Sequence, residues 1–77
     1  MDAMKPMLEN LDFGRALFWL RGGFRVRRAA WREGQYLILR EAGGEQWLSS
    51  RYDGHSEHFP YISGSTDLLA EDWELLG

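Results

Sequence analysis

The chain has no cysteine and only two histidines among its 77 residues. Without cysteine, no disulfide can stabilise the fold. Two histidines without a thiolate also argue against a structural zinc site, which normally takes four such ligands. A domain of this size buries only about 60% of the surface that its unfolded chain exposes, so oligomerisation is the usual remaining source of stability.

Long apolar runs are also lacking. No segment approaches the roughly 20 apolar residues that a membrane-spanning helix requires. The opening residues, MDAMKPMLEN, lack the apolar stretch of a signal peptide, so we expect a protein that is neither exported nor bound to a membrane. The sequence is interpreted as a leader over 1–10, followed by a single domain over 11–77.

Positive charge is scarce overall but concentrated in one region. The net charge is −3 at pH 7, which argues against a general nucleic-acid binder. Eighteen consecutive residues nevertheless contain no acid and six arginines: Arg15, Arg21, Arg25, Arg27, Arg28 and Arg32. This clustering favours the binding of a compact anion over that of a long polyanion.

The apolar pattern predicts an α+β fold, with an N-terminal helix packed on a small antiparallel β-sheet. Asn10 or Asp12 can cap the helix, and Gly22 and Gly23 end it. Its apolar stripe has the spacing i, i+3, i+4, i+7, in the order Phe13, Ala16, Leu17 and Leu20. Alternating segments predict strands at 24–28, 35–41 and 45–52, a short edge strand at 59–63 and a last strand at 72–76.

A short helical turn, DLLA, is predicted before the last strand. Thr66 is expected to be its N-cap, and Asp67 lies in the first turn, where negative charge is favoured. Leu68 and Leu69 are expected to pack beneath this turn. Trp73 is interpreted as a core residue because DWELL alternates like a half-buried strand.

Two candidate sites have simpler structural explanations. Asp67 and Asp72 could form a catalytic carboxylate pair, but a helix cap and a solvated strand edge explain them as well. His55 and His58 could bind a metal only with further ligands from elsewhere, so a solvated loop is favoured. No nucleophile elbow, phosphate loop or dinucleotide fingerprint occurs.

Aromatic residues beside arginines are more informative. Trp31 follows the basic strand directly in RVRRAAW, and Tyr61 follows Pro60. A nucleotide can stack its base on such a ring and pair its phosphates with a guanidinium. Burial of Trp31 in the core explains the same pattern equally well, and both interpretations remain open at this point.

The segments LDFGRALFWLRGGFRVRRAAW and PYISGSTDLLAEDWELL resemble the small phage proteins of the Thoeris anti-defence 2 family. The resemblance covers about residues 11 to 76, and its closing motif is the most specific part. Matching positions are Phe13, Gly14, Ala16, Leu17, Val26, Arg28, Trp31, Pro60, Thr66, Asp67, Leu68, Leu69, Ala70, Asp72 and Trp73. Tyr61 stands where the family has Trp, and Phe18 and Trp19 stand where its pattern is polar.

The resemblance implies a sponge that sequesters a cyclic ADP-ribose-type immune signal in the host bacterial cytoplasm without a cofactor or turnover. It also implies a homotetramer with ligand pockets at subunit interfaces, and in some members a second site for cyclic dinucleotides. Trp31 and Tyr61 would stack on adenine, Arg28 with Arg27 would pair with pyrophosphate, and Phe13 would wall the pocket. Ser65, Thr66 and Asp67 would offer hydroxyl and carboxylate groups to the ribose.

Two alternatives come from other functional classes. A hydrolase would destroy the signal with Asp67 or Asp72 as its general base. A protein-interaction module would use the surplus aromatic residues to hold a protein partner.

Overall fold

A computed structural model describes residues 6–52, 54, 59–61 and 63–77 as one antiparallel sheet with two helices. The strands are β1 (Leu8–Leu11), β2 (Val26–Arg28), β3 (Gln35–Ala42), β4 (Glu45–Tyr52), β5 (Phe59–Pro60) and β6 (Trp73–Leu75), and the helices are α1 (Phe13–Arg21) and α2 (Ser65–Leu69). The sheet order is β1-β6-β2-β3-β4-β5, with antiparallel pairing throughout. This arrangement confirms the predicted α+β class and the antiparallel sheet.

Helix α1 begins and ends where its local sequence predicts. The Asp12 side chain accepts a hydrogen bond of 2.8 Å from the Arg15 backbone N–H, which satisfies one of the free donors of the first turn. Gly22 caps the other end, with its N–H directed at carbonyls of the last turn. The helix buries Ala16 and Leu20 against the sheet, as the predicted stripe requires.

The long β3–β4 hairpin forms the larger part of the sheet. Gly43 and Gly44 connect its strands with φ values of 59° and 82°, a left-handed conformation that glycine adopts without steric cost. Pairing continues from Gln35 opposite Tyr52 to Ala42 opposite Glu45. At the far side, Pro60 lies in β5 at the sheet edge, where its missing N–H costs no ladder bond.

The core lies between α1 and the central strands. Trp73 of β6 is completely buried, which confirms its predicted core position. It joins a cluster of buried apolar side chains comprising Leu11, Ala16, Leu20, Val26, Leu37, Trp73 and Leu75. Phe13, Trp31 and Tyr61 are partly buried at the margin of this core.

A strand precedes α1, so the predicted helix-first order is only partly right. Residues of the predicted leader form most of β1, which pairs with β6 through Leu8 opposite Leu75. Asn10 interrupts the register of this pair with φ 58°, a conformation that asparagine tolerates better than most residues. Tertiary pairing explains the strand, since its own sequence has no alternation. The domain boundary at residue 10 stays a prediction.

Two details of the predicted helical turn are wrong. Helix α2 starts at Ser65 with Gly64 as its N-cap, so Thr66 lies inside the helix and caps nothing. Leu68 and Leu69 are exposed, Leu69 at 79%, and α2 contains no buried residue. Packing of these leucines therefore does not hold the turn in place within one chain.

None of the helices in the described part of the chain is long and apolar enough to cross a membrane.

Candidate ligand-binding site

Four aromatic rings form a continuous row from the core to the surface. Ring centroids are 5.2 Å apart for Phe13 and Trp73, 5.3 Å for Trp73 and Trp31, and 5.8 Å for Trp31 and Tyr61. The pairs are tilted or edge-to-face, which are the arrangements that aromatic quadrupoles prefer. This row, called the aromatic row below, places the rings of Trp31 and Tyr61 beside each other at the margin of the core.

An ionic network, called the clip, lies at the outer end of the aromatic row. It consists of Arg28, Tyr61, Asp67 and Asp72. The Arg28 guanidinium donates from Nη1 to Asp67 Oδ1 at 2.8 Å and from Nε to Asp72 Oδ1 at 2.8 Å. The Tyr61 hydroxyl donates to the second oxygen of Asp67, Oδ2, at 2.5 Å.

The fold brings these side chains together from distant parts of the chain. Arg28 ends β2, directly opposite Trp73 of β6. The Trp31 backbone N–H donates to the Arg28 carbonyl at 3.0 Å, so the turn after β2 returns the indole towards the sheet. The Trp73 indole N–H donates to the Asp67 carbonyl at 3.0 Å and thus connects the core to α2.

Asp72 accepts hydrogen bonds both from Arg28 and from the turn after β2. Besides Arg28, its carboxylate accepts the Ala30 backbone N–H at 3.2 Å, and its carbonyl accepts the Ala29 N–H at 3.0 Å. Asp72, for which a solvated strand edge was one of the two interpretations, therefore joins the turn after β2 to the start of β6.

The contacts of the clip shift the ionisation of its members. The bond from Arg28 lowers the pKa of Asp72 despite partial burial. Burial alone would raise the pKa of Asp67, but hydrogen bonds from Tyr61 and Arg28 outweigh it and lower that pKa. Burial and the Asp67 carboxylate raise the pKa of the Tyr61 hydroxyl, which stays protonated and acts as a donor at neutral pH.

Arg27 points to the opposite side of β2. Its guanidinium donates to the Trp31 carbonyl at 2.6 Å and to the Arg28 carbonyl at 3.2 Å. It also lies 4.0 Å from a carboxylate oxygen of Glu74. The side chain is buried, so it supports the backbone of the turn that carries Trp31.

The stability of the fold should depend on pH in two opposite ways. Because the pKa values of Asp67 and Asp72 are lower in the folded chain, their contribution is present above about pH 4 and is lost as the pH falls through the folded values. Burial raises the pKa of Glu74, so its ionised form destabilises the fold, and protonation on mild acidification relieves this effect.

We therefore expect the free energy of unfolding to rise slightly on acidification from neutral pH and then to fall below about pH 4. Urea denaturation across this range checks the profile. Glu74→Gln should abolish the rise and leave the acid-side fall unchanged. A fall without any preceding rise in the unmodified protein contradicts this prediction.

Of the eight residues predicted to bind the ligand, five belong to one assembly and two adjoin it. Phe13, Trp31 and Tyr61 belong to the aromatic row, and Arg28, Tyr61 and Asp67 belong to the clip. Ser65 and Thr66 are exposed on α2, next to Asp67 in sequence. Only Arg27 projects away from this assembly, and its predicted contact with pyrophosphate stays a prediction.

The sequence interpretation missed the contributions of two other residues. Neither interpretation of Asp72, as one of a catalytic pair or as a solvated strand edge, included its bond with Arg28. Trp73 was interpreted as a core residue, and its indole also binds the Asp67 carbonyl. Both residues lie close to Asp67 in the closing motif, which is the available signal for the contact of Trp73. Arg28, the partner of Asp72, lies 44 residues away in the chain. The possible metal pair His55 and His58 lies outside the described residues, and the described ones contain no cluster of metal-binding side chains.

Comparison with known proteins assigns the chain to a family. A family model for the Thoeris anti-defense 2-like domain, Tad2-like, matches residues 11–76. No curated protein matches the chain. The matched range contains the aromatic row and the clip in full, and it spans most of the chain. The chain belongs to the Thoeris anti-defense 2-like family.

Proposed function

We propose that the protein binds and sequesters a cyclic ADP-ribose-type signal of Thoeris immunity, such as glycocyclic ADP-ribose, without turning it over. Its family supports a role in evading anti-phage defence. The observation that carries the finer proposal is the pair of Trp31 and Tyr61 rings next to the ionised Asp67 carboxylate.

The ring pair has the chemistry that a nucleobase requires. The Trp31 and Tyr61 rings are half-buried, so one part of each contacts the protein and another part faces solvent. Stacking of a base on an exposed aromatic ring contributes about 1–3 kcal/mol. In this proposal adenine stacks on the two rings, and Phe13 closes the inner side of the site.

The Asp67 carboxylate supplies acceptors for ribose hydroxyls. Its side chain is 21% exposed, and each oxygen accepts one hydrogen bond from the clip, which leaves further lone-pair capacity. Ser65 and Thr66 present hydroxyl groups on the same short helix. A vicinal diol bound by a carboxylate and a hydroxyl is therefore the polar half of the proposed interaction.

Binding without turnover agrees with the ionisation of the carboxylates. A general base works best when its pKa is near the working pH. The pKa values of Asp67 and Asp72 are instead lowered, and Asp67 already accepts bonds from Arg28 and Tyr61. Both features disfavour the alternative of a hydrolase that degrades the signal.

The proposal includes a homotetramer in the host cytoplasm, with ligand sites completed at subunit interfaces. Exposed aromatic residues support further association: Phe18 is 68% exposed on α1, and its ring contacts Trp19, which in turn contacts Phe24. A second site for cyclic dinucleotides also belongs to this proposal. A protein-interaction module remains the competing explanation of the same exposed rings.

Calorimetry with glycocyclic ADP-ribose, followed by chromatography of the ligand released on denaturation, tests the proposal. We expect saturable heat and intact ligand after long incubation. New chromatographic peaks would show a hydrolase. The absence of heat, together with a monomeric mass in sedimentation, would favour the interaction module.

Replacing the half-buried indole of Trp31 should weaken ligand binding without unfolding the chain. Trp31→Leu keeps apolar volume against Trp73 but removes the stacking surface, so we expect a roughly tenfold higher Kd for glycocyclic ADP-ribose. The matched control is Trp47→Leu, which removes an indole that is 40% exposed on β4. Equal loss of affinity in both variants contradicts the assigned stacking role of Trp31.

A further inference from the structure

We infer that Arg28 is a positioning residue, which orients Asp67 and Tyr61 for the ligand and does not itself contact the phosphates. The inference about binding rests on the proposed function. The inference about the position of α2 rests on the contacts of the clip alone.

The guanidinium is largely committed within the chain. Three of its five N–H groups have carboxylate acceptors: two bonds of 2.8 Å, one each to Asp67 and Asp72, and a third of 3.4 Å to Asp72 Oδ2. The Arg28 side chain is only 16% exposed. A ligand phosphate that took the bidentate position on Arg28 would have to displace one of these carboxylates.

The charge around Arg28 also disfavours a phosphate. Two ionised carboxylates face this single guanidinium, so the clip carries one net negative charge. A pyrophosphate at this position would replace favourable ion pairs with repulsion from the displaced carboxylate. Ribose hydroxyls, which donate hydrogen bonds to carboxylates, suit a site of this charge.

Helix α2 depends on the clip for its position. It is only five residues long, has no side-chain N-cap and buries none of its residues. Its described anchors are the Asp67 carboxylate, bonded to Arg28 and Tyr61, and the Asp67 carbonyl, bonded to the Trp73 indole. Among the described residues of α2, Asp67 therefore carries the hydrogen bonds that join this helix to Arg28, Tyr61 and Trp73, and Arg28 supplies the positive charge of its ion pair.

The clip also sets the orientation of a stacking ring. Asp67 joins Arg28 on one oxygen to the Tyr61 hydroxyl on the other. Arg28 consequently reaches the base-binding surface through two successive contacts.

A phosphate-free probe separates positioning from direct contact. We expect Arg28→Gln to weaken the binding of adenosine and of glycocyclic ADP-ribose by the same factor, about tenfold, because both need the ring and the carboxylate. Compared with Arg28→Gln, Arg28→Lys keeps the positive charge but lacks the planar guanidinium that binds two carboxylates, so it should recover part of the affinity for both probes. Arg21→Gln, at an exposed position in the last turn of α1, is the charge-matched control. Loss of affinity confined to glycocyclic ADP-ribose overturns the inference.

Hydrogen exchange decides the positioning role without any ligand. Arg28→Gln should accelerate amide exchange at 65–70 at least tenfold and leave β3 and β4 protected, whereas Arg21→Gln should change neither. Unchanged exchange at 65–70 in Arg28→Gln overturns the inference. If neither probe binds the unmodified protein, the proposed function fails, and the exchange result still determines whether Arg28 positions α2.

Discussion

Trp73→Ala should destabilise the protein by about 3–5 kcal/mol, the cost of truncating a large aromatic side chain in a core. Trp73 is completely buried, and its ring contacts those of Phe13 and Trp31. The indole N–H also supports the Asp67 carbonyl, which would lose its donor. A domain of this size has a net stability of only a few kcal/mol, so the variant should be largely unfolded at 25 °C.

Urea denaturation followed by far-UV circular dichroism measures this effect. Trp47→Ala is the matched control, because this indole is partly exposed and its removal should cost less than about 1 kcal/mol. A Trp73→Ala variant with an unchanged urea midpoint would contradict the placement of this residue in the core. Oligomerisation would move both midpoints with protein concentration, so the comparison requires one fixed concentration.

Asp67→Ala should affect both stability and binding. The substitution removes the acceptor of a charged hydrogen bond from Arg28 and of the Tyr61 hydroxyl, each only partly exposed. We expect the free energy of unfolding to fall by about 2 kcal/mol, since Arg28 keeps Asp72 as its partner and solvent screens part of the loss. The Kd for glycocyclic ADP-ribose should rise roughly 30-fold, because the ribose acceptor and the anchor of α2 disappear together.

A double-mutant cycle tests whether these losses come from one network. Asp67→Ala and Arg28→Gln should show a coupling energy of about 1–2 kcal/mol in stability, because each removes the same ion pair. Glu71→Gln removes an exposed acid from the segment between α2 and β6 and should show no coupling with Arg28→Gln. Additive losses for Asp67 and Arg28 would contradict the clip.

The clip assigns structural and binding roles to the same side chains. Asp67 holds α2 against the sheet and is also the proposed ribose acceptor. Its orientation is determined before ligand arrives, which lowers the ordering cost of binding. The acid-side loss of stability and the loss of affinity should therefore occur over the same pH range, because protonation of Asp67 removes both.

Local sequence signals were sufficient to predict α1 and the β3–β4 hairpin. The stripe from Phe13 to Leu20, the Asp12 cap and the following glycines predict α1 because each acts within one or two turns of helix. The paired glycines between two alternating segments similarly predict the β3–β4 hairpin. In both cases the determining contacts join residues that are close in sequence.

The position of β1 and the contents of the site depend on the tertiary fold. The first strand has no alternation of its own, and it exists because β6 offers an unpaired edge. The family motif had already placed Trp31, Tyr61 and Asp67 among the candidate ligand residues. It could not show that Arg28, expected to be free for phosphate, is held by acids 39 and 44 residues further along the chain.

By itself, then, the sequence determined the family, the α+β class, helix α1 and the central hairpin, because these follow from short-range patterns and from a long closing motif. Only the tertiary structure decided which charges are paired, that Gly64 and not Thr66 precedes α2, and that Leu68 and Leu69 face solvent. The physical reason is the range of the interactions. An ion pair forms where strand pairing brings two side chains together, and no local pattern specifies that meeting point.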